Sequence, residues 1–411
     1  MSERIVIIGT GQGGFQLASS LRQDGSDARI TMIGGEPDLP YQRPPLSKAY
    51  MKDGDASRLS LRPESFYEAS GIELLRGVRA TGIDRTKREV SIEGGAPRPY
   101  DHLVLATGAR NARPPIANID TPGVHDLRSM ADAAALRAAV AEARGALVIG
   151  GGFIGLEFAA VARAAGLDVT VIEMAPRLMA RVVSPEMSRR FAEKHEAMGA
   201  RLIFGQPATG VLTAPGGAAR GVRLADGREF EGDLVLLASG VLPNVELAAG
   251  AGLEVDNGVV VDSLLLTADP AISALGDCAA FPDPRTGRRV RLESVQAATD
   301  HARAIARRLT GAPAPYDAAP WFWSDQADWK LQIAGLSGAD DETFVRDRGE
   351  GGFSVLRFCD DLLTAAETVN AAGEHMAARR LMAAGGVVRR ADLEAHDYSL
   401  AALLKSGARK P

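Results

Sequence analysis

Cysteine is nearly missing from this chain: its 411 residues include only Cys278 and Cys359, far apart and outside any CxxC spacing. That scarcity argues against a redox disulfide, a zinc site and a cysteine-ligated iron–sulfur cluster within the chain. Aromatic residues are sparse at 5%, and no apolar run reaches membrane-spanning length. The first apolar run, Ile5 to Ile8, enters a glycine turn and not a cleavage site, so nothing suggests export and a cytoplasmic location is expected. Basic charge is not in excess, since 47 basic and 52 acidic residues leave a formal net charge of −5. Such a balance gives no general attraction for nucleic acid or an anionic membrane. An acidic partner would need a local basic patch.

What the chain does have is length and apolar content: 46% hydrophobic residues over 411 positions predict several globular domains. IVIIG, the turn GTGQGG, the segment FQLASSLRQ and then ARITMIG read as strand, glycine turn, helix and strand. The same order returns in ALVIG, GGFIG, LEFAAVARAAG and DVTVIE. Two nucleotide-binding folds are therefore expected, with the prolines of ARPPIANIDTPG marking a boundary near Asn111 to Gly123. DLVLLASGVLPN then repeats the pattern of DHLVLATGARNA, and ISALGDCAAF offers a strand ending at an acid, as if the chain crosses back into its first domain. From about Ala319 the texture changes to PWFWSDQADWKLQI, the strand candidates FSVLRF and LLTAAETVN, and helical stretches near His375 to Ala384 and Leu393 to Lys405. The expected fold class is α/β: two Rossmann-like dinucleotide-binding domains plus a C-terminal α+β domain. The first domain takes residues 1–113 and 244–318, the second 114–243 and the last 319–411.

Each glycine fingerprint has a mechanical reading. In GTGQGG, Gly9 permits the tight turn, Gly11 admits a pyrophosphate and Gly14 permits close helix–strand packing, with Gly13 beside them. Helix-terminal amides face the phosphates, and Glu36 after the second strand is placed to hold an adenosine ribose. Gly150, Gly152 and Gly155 repeat the pattern, and Glu173 closes the strand that follows. Its carboxylate accepts from both ribose hydroxyls and repels a ribose phosphate, so NADH is expected over NADPH. Arg177 keeps the phosphate option open. Two dinucleotide sites imply two redox cofactors, usually a flavin with a nicotinamide.

GTGQGG, LPYQRPPLSK, LATGAR, GGGFIGLE, LLASGVLPN, ALGDCA, ESVQAA and FWSDQ occur in this order along essentially the whole chain. Together they resemble the bacterial FAD-dependent NADH:ferredoxin reductases of oxygenase electron chains, the putidaredoxin reductase-like family. LPYQRPPLSK and FWSDQ separate this family from the glutathione-reductase-like enzymes, which share its fold but carry a redox disulfide.

The resemblance implies FAD in the first domain and NAD in the second. It gives Arg43 and Lys48 to the FAD, Lys48 beside the reactive flavin nitrogen, where the residues alone also allow a solvated loop cation. Glu157, otherwise an exposed helix carboxylate, would pair with Lys48 and the nicotinamide amide. Thr107 and Gly108 would lie against the FAD, Asp277 would accept from the ribityl hydroxyls, and the Val295 amide would meet the pyrimidine edge. Trp323 would form an aromatic wall near the flavin, while Phe153 and Ile154 shape the nicotinamide pocket and Gly240 borders it. The implied reaction passes a hydride from NADH to FAD and then single electrons to a 2Fe-2S ferredoxin serving a cytochrome monooxygenase or ring-hydroxylating dioxygenase. A flavin-dependent NADH oxidase or small-molecule reductase stays open, as does an apoptosis-inducing-factor-like NADH-responsive binding protein. Arg303, Arg307 and Arg308 are candidates for meeting an acidic ferredoxin, with Arg288, Arg289, Arg291, Lys405, Arg409 and Lys410 as further ones.

Overall fold

Ile5, Val6, Ile7 and Ile8 are consecutive, apolar and all buried, which suits a strand covered on both faces. In the computed structural model, which describes residues 2–349, 351–383 and 386–407, the strand Arg4–Ile8 lies at the centre of a parallel five-stranded sheet. Arg29–Gly34 and His102–Leu105 flank it, and Ile72–Arg76 and Ile272–Ala274 form the edges. The helices Gln12–Gln23 and Val295–Leu309 pack on one another, and Phe15, Leu17, Ala302 and Ile305 share the core of the central strand. This unit comprises Met1–Arg43, Asp55–Arg110 and Val241–Ala318.

The second unit, of Pro44–Gly54, Asn111–Gly240 and Ala319–Pro411, holds a sheet of the same design. Gly145–Ile149 is central, between Asp168–Glu173 and Leu234–Leu237, with Arg201–Phe204 and Val124–His125 outermost, all parallel. In both sheets the glycine turn follows the carboxyl end of the central strand, where open parallel sheets leave their crevice. The expected pair of Rossmann-like folds is thus present.

The C-terminal segment adds an antiparallel sheet in the order Trp321–Gln326, Trp329–Gly335, Leu362–Val369, Phe353–Cys359 and Glu342–Asp347. Helices Ala372–Met382, Arg390–Glu394 and Leu400–Lys405 close its core through Leu381, Leu393, Leu400 and Leu403. The single helical stretch expected from Leu393 to Lys405 is divided, because Asp397 and Tyr398 adopt left-handed φ values of 51° and 52°. Tyr398 N–H donates back to the Leu393 carbonyl at 2.7 Å, ending the first piece. The helix before it stops at Met382, and its expected end at Ala384 lies outside the described residues.

Glu367 ties this sheet to the neighbouring Rossmann-like fold. Fully buried, it accepts from the Ser184 N–H and Oγ, each at 2.7 Å, at the start of the helix Pro185–Ala197. Arg357, also buried, stands 3.6 Å away. Among the described residues no helix is long and apolar enough to cross a membrane.

Three buried histidines make stability depend on pH. Burial, reinforced by Arg308, holds His102 down at about 3; burial alone does the same to His301, and burial with Arg379 lowers His375 to about 4. These values lie below that of an unfolded histidine, near 6.5, so the unfolded chain takes up protons first as pH falls. Stability from these rings is full above about pH 6.5 and is lost towards pH 3, at up to roughly 1.4 kcal/mol per pH unit for each ring. Urea midpoints between pH 7 and pH 4.5 should fall accordingly, and less steeply in His301→Gln; a flat profile would contradict neutral burial.

Candidate functional site

In the first unit Gly9 has φ 119°, and a Cβ there would overlap the Ala106 carbonyl oxygen. A Cβ at Gly14 would overlap the Gly9 oxygen and one at Gly13 the Leu275 side chain, so helix and strand approach more closely than any side chain allows. At Gly11 a Cβ would meet no protein atom within 4 Å, which leaves space before the helix amides. That opening and those donors fit a pyrophosphate.

Glu36, two residues beyond the strand Arg29–Gly34, accepts from the Tyr41 hydroxyl and the Arg43 guanidinium, each at 2.5 Å. Burial by itself would lower the Arg43 pKa, but the Tyr41 hydroxyl, Glu36 and Asp277 together raise it. A fixed carboxylate beside a fixed cation suits a ribose next to a phosphate.

Two further turns are held from beneath. Thr107 Oγ1 donates to the Asn244 carbonyl at 2.7 Å and Asn244 Nδ2 donates to the Thr107 carbonyl at 2.8 Å, pinning the turn that Gly108 completes. Asp277 sits in the short helical turn Gly276–Cys278, where the Gly276 N–H donates to His301 Nδ1 at 3.2 Å. The His301 ring is edge-on to Phe281 and Tyr316, at centroid distances of 4.7 and 4.4 Å. Cys278 points inward, donating to the Leu105 and Leu275 carbonyls, and burial pushes its thiol pKa up. It is inert structure and no nucleophile. Val295 opens the helix capped by Ser294, whose Oγ accepts from Ala297 N–H at 3.0 Å. Sequence reasoning missed His301 and Asn244. Only the position of His301 among the alanines of a buried helix face hinted at it.

Of the three arginines on that helix, Arg303 and Arg307 are exposed, and Arg303 pairs with Asp300 at 3.3 Å. Arg308 departs from the expected outward face: its Nη2 donates to Ser273 Oγ at 2.6 Å beside His102. Arg289 pairs with Glu254 and Asp256, and Arg291 with Glu293. Arg409 and Lys410 lie outside the described residues.

The second unit repeats the turn. Gly150, at φ 113°, lies against the Ala238 carbonyl, a Cβ at Gly155 would overlap the Gly150 oxygen, and Gly152 again faces open space. Gly240 closes its own turn at φ 93°. Glu173 accepts from the Gly151 and Ala175 N–H groups, both at 2.7 Å. Arg177 does not reach towards a phosphate position. Its guanidinium donates to the Val183 and Ala180 carbonyls at 2.8 Å and to Ser188 Oγ at 2.7 Å, tying up the loop it belongs to.

The helix Phe153–Ala164 carries Phe153 against Phe322, with ring centroids 6.2 Å apart, and leaves Ile154 exposed. One turn in, Glu157 is only 2% exposed. Lys48 Nζ stands 2.7 Å from its Oε2, Ser47 Oγ donates to the same oxygen at 2.5 Å, and Ser324 Oγ donates to Oε1 at 2.7 Å. Lys48 also donates to the Pro44 carbonyl at 3.2 Å. Glu157 is therefore no exposed helix carboxylate, and Lys48 is no solvated cation. Trp323 stacks on Trp321 at 5.6 Å, and Arg379 lies 4.0 Å above the Trp321 ring. Sequence reasoning anticipated the pairing of Lys48 with Glu157 but missed Ser47 and Ser324, which sit inside PPLSK and FWSDQ.

Replacing Glu157 with leucine would remove the buried anion that Lys48, Ser47 and Ser324 share, at a cost of about 2–4 kcal/mol. Glu157→Gln, which keeps one acceptor oxygen, should cost less than half of that in thermal or urea unfolding.

Comparison with known proteins follows this geometry closely. Residues 3–302 match the pyridine nucleotide-disulphide oxidoreductase family model, and residues 321–404 match the reductase C-terminal model. The chain is 47% identical over 383 residues to rhodocoxin reductase of Rhodococcus erythropolis, covering 92% of this chain and 89% of that protein. A crystal structure of a ferredoxin reductase from Rhodopseudomonas palustris superposes with a TM-score of 0.95 at 46% identity, over 99% of this chain and all of the other. The reductase in a covalent putidaredoxin reductase–putidaredoxin complex gives 0.94 at 35% identity, over 99% of each chain.

Proposed function

The chain belongs to the pyridine nucleotide-disulphide oxidoreductase family, among its ferredoxin reductases, and from that premise we propose that it is an FAD-dependent NADH:ferredoxin reductase of an oxygenase system. The observation that carries this reading is the buried Lys48–Glu157 pair beside the second fingerprint, in a chain whose two cysteines offer no redox dithiol. Cys278 is fully buried with a raised thiol pKa, so it offers no cysteine relay for the electrons.

When bound, the nicotinamide and flavin supply the hydride and electron chemistry. The chain's residues hold, orient and tune. In the first unit Gly9, Gly11, Gly13 and Gly14 make room for the FAD pyrophosphate, Glu36 and Arg43 hold its adenosine end, and Thr107, Gly108, Asp277 and Val295 present polar groups to the rest. The family pattern alone adds Lys48 and Trp323 as FAD contacts. In the second unit Gly150, Gly152 and Gly155 admit the NADH pyrophosphate, with Phe153, Ile154 and Gly240 around it. Glu173 accepts from the ribose hydroxyls, and its negative charge disfavours a 2′-phosphate. With Arg177 withdrawn into its own loop, preference for NADH over NADPH follows. Lys48 provides a fixed cation where negative charge develops, and Glu157 balances it and orients the nicotinamide. Four segments, bounded as above, divide these tasks, and the reading includes a cytoplasmic location.

The test is a panel of purified 2Fe-2S ferredoxins, each reduced with NADH or NADPH, alongside oxygen and a quinone as acceptors. Rapid, salt-sensitive reduction of one ferredoxin with NADH, at least roughly tenfold faster than with NADPH, is the expected result. Slow reduction of every ferredoxin with fast oxygen or quinone turnover would mean an oxidase or small-molecule reductase. Slow turnover with NADH-dependent dimerisation would mean a signalling protein.

A further inference from the structure

A carboxylate accepts hydrogen bonds and donates none. Glu157 therefore sets the direction of every bond that leads to it. Ser324 Oγ donates to Glu157 Oε1 at 2.7 Å, and the same Ser324 oxygen accepts from Gln326 Nε2 at 3.1 Å. With its nitrogen facing Ser324, Gln326 turns its carbonyl Oε1 towards His195 Nε2, 2.8 Å away. That ring nitrogen must carry the proton, since two acceptors do not bond. His195 Nδ1 is then bare, and it is buried with no hydrogen-bond partner among the described residues.

All four side chains are buried: Glu157, Ser324 and His195 by their packing, and Gln326 at 1% exposure. No bulk water competes for these bonds, so each is electrostatically stronger than at the surface. Burial also lowers the His195 pKa, in keeping with a neutral ring. Gln326 Nε2 has a second neighbour, Met179 Sδ at 3.8 Å. Met179 N–H donates to the Gly151 carbonyl at 2.9 Å, and Gly151 N–H is held by Glu173. The strand Trp321–Gln326 thus touches Glu157 through Ser324 and, through Gln326, the loop that follows Glu173.

We propose that Ser324 and Gln326 are positioning residues in a one-way donor chain, running from His195 through Gln326 and Ser324, that fixes the Glu157 carboxylate against Lys48. The proposal rests on the reading of Glu157 as the group that orients the nicotinamide. Lys48 and Ser47 both meet Oε2, so Ser324 is the donor that holds the other oxygen and stops the carboxylate from rotating. Gln326 orients the Ser324 hydroxyl, because a serine oxygen that already accepts from an amide turns its single proton to the remaining acceptor. His195 completes the chain by donating from Nε2 to the Gln326 carbonyl oxygen, which holds the amide in that orientation.

The test uses the FAD-loaded full-length enzyme. Imidazole nitrogen-15 NMR reads the tautomer of His195, and steady-state kinetics with NADH and ferricyanide read KM and kcat. The wild type should show His195 as the Nε2–H tautomer. Ser324→Ala should lower kcat/KM for NADH roughly tenfold, chiefly through KM, and Ser324→Thr, which restores the hydroxyl, should return it to within about twofold. Gln326→Glu has the same shape but cannot donate when ionised, and it should be as impaired as Ser324→Ala. A wild-type Nδ1–H tautomer, or unchanged kinetics in both Ser324→Ala and Gln326→Glu, would overturn the chain. An inactive wild type would count against the proposed function instead, and the tautomer would still decide the direction of the chain.

Discussion

A buried carboxylate needs donors, and the organisation of the second unit follows from satisfying one. Glu157 lies one turn inside a helix, almost without solvent, and takes an ammonium from the segment after Arg43, a hydroxyl beside that ammonium and a hydroxyl from the C-terminal sheet. Leaving such a charge uncompensated costs several kcal/mol, while a charge-assisted hydrogen bond is worth about 1.5–3. Three stretches distant in sequence are thereby fixed around one anion. Glu367 repeats the device at the start of the helix that carries His195.

Electrostatics also decides which cations are available. Arg177 and Arg308 stand in sequence where a phosphate or an acidic partner would find them, yet each is drawn inward by carbonyl or hydroxyl oxygens. What is left facing outward on the helix Val295–Leu309 is Arg303, paired with Asp300, and Arg307. The basic character of this helix is therefore narrower than its composition implies.

Much of the architecture was legible because local rules suffice for it. Strand Arg4–Ile8 is four buried apolar residues followed by a turn only glycine fits, and Gly145–Ile149 repeats this. Lys48, Glu157, Glu173 and Asp277 stood in recognisable segments. The division of the stretch Leu393 to Lys405 escaped notice because two non-glycine residues, Asp397 and Tyr398, adopt left-handed backbone there without a sequence signature. His301, Asn244, Ser324, Gln326 and His195 escaped for another reason: their roles depend on partners 25 to 167 positions away and, for all but Asn244, on burial, neither of which periodicity reports.

On the proposed function, the charge of Glu157, held in place, governs delivery from NADH. Anaerobic stopped-flow mixing of the FAD-loaded enzyme with NADH measures this directly through the loss of oxidised-flavin absorbance. Wild type should bleach in one rapid phase, and Glu157→Gln, with FAD bound as tightly, should bleach at least about tenfold more slowly at equal NADH. Equal rates in the two proteins would contradict the account.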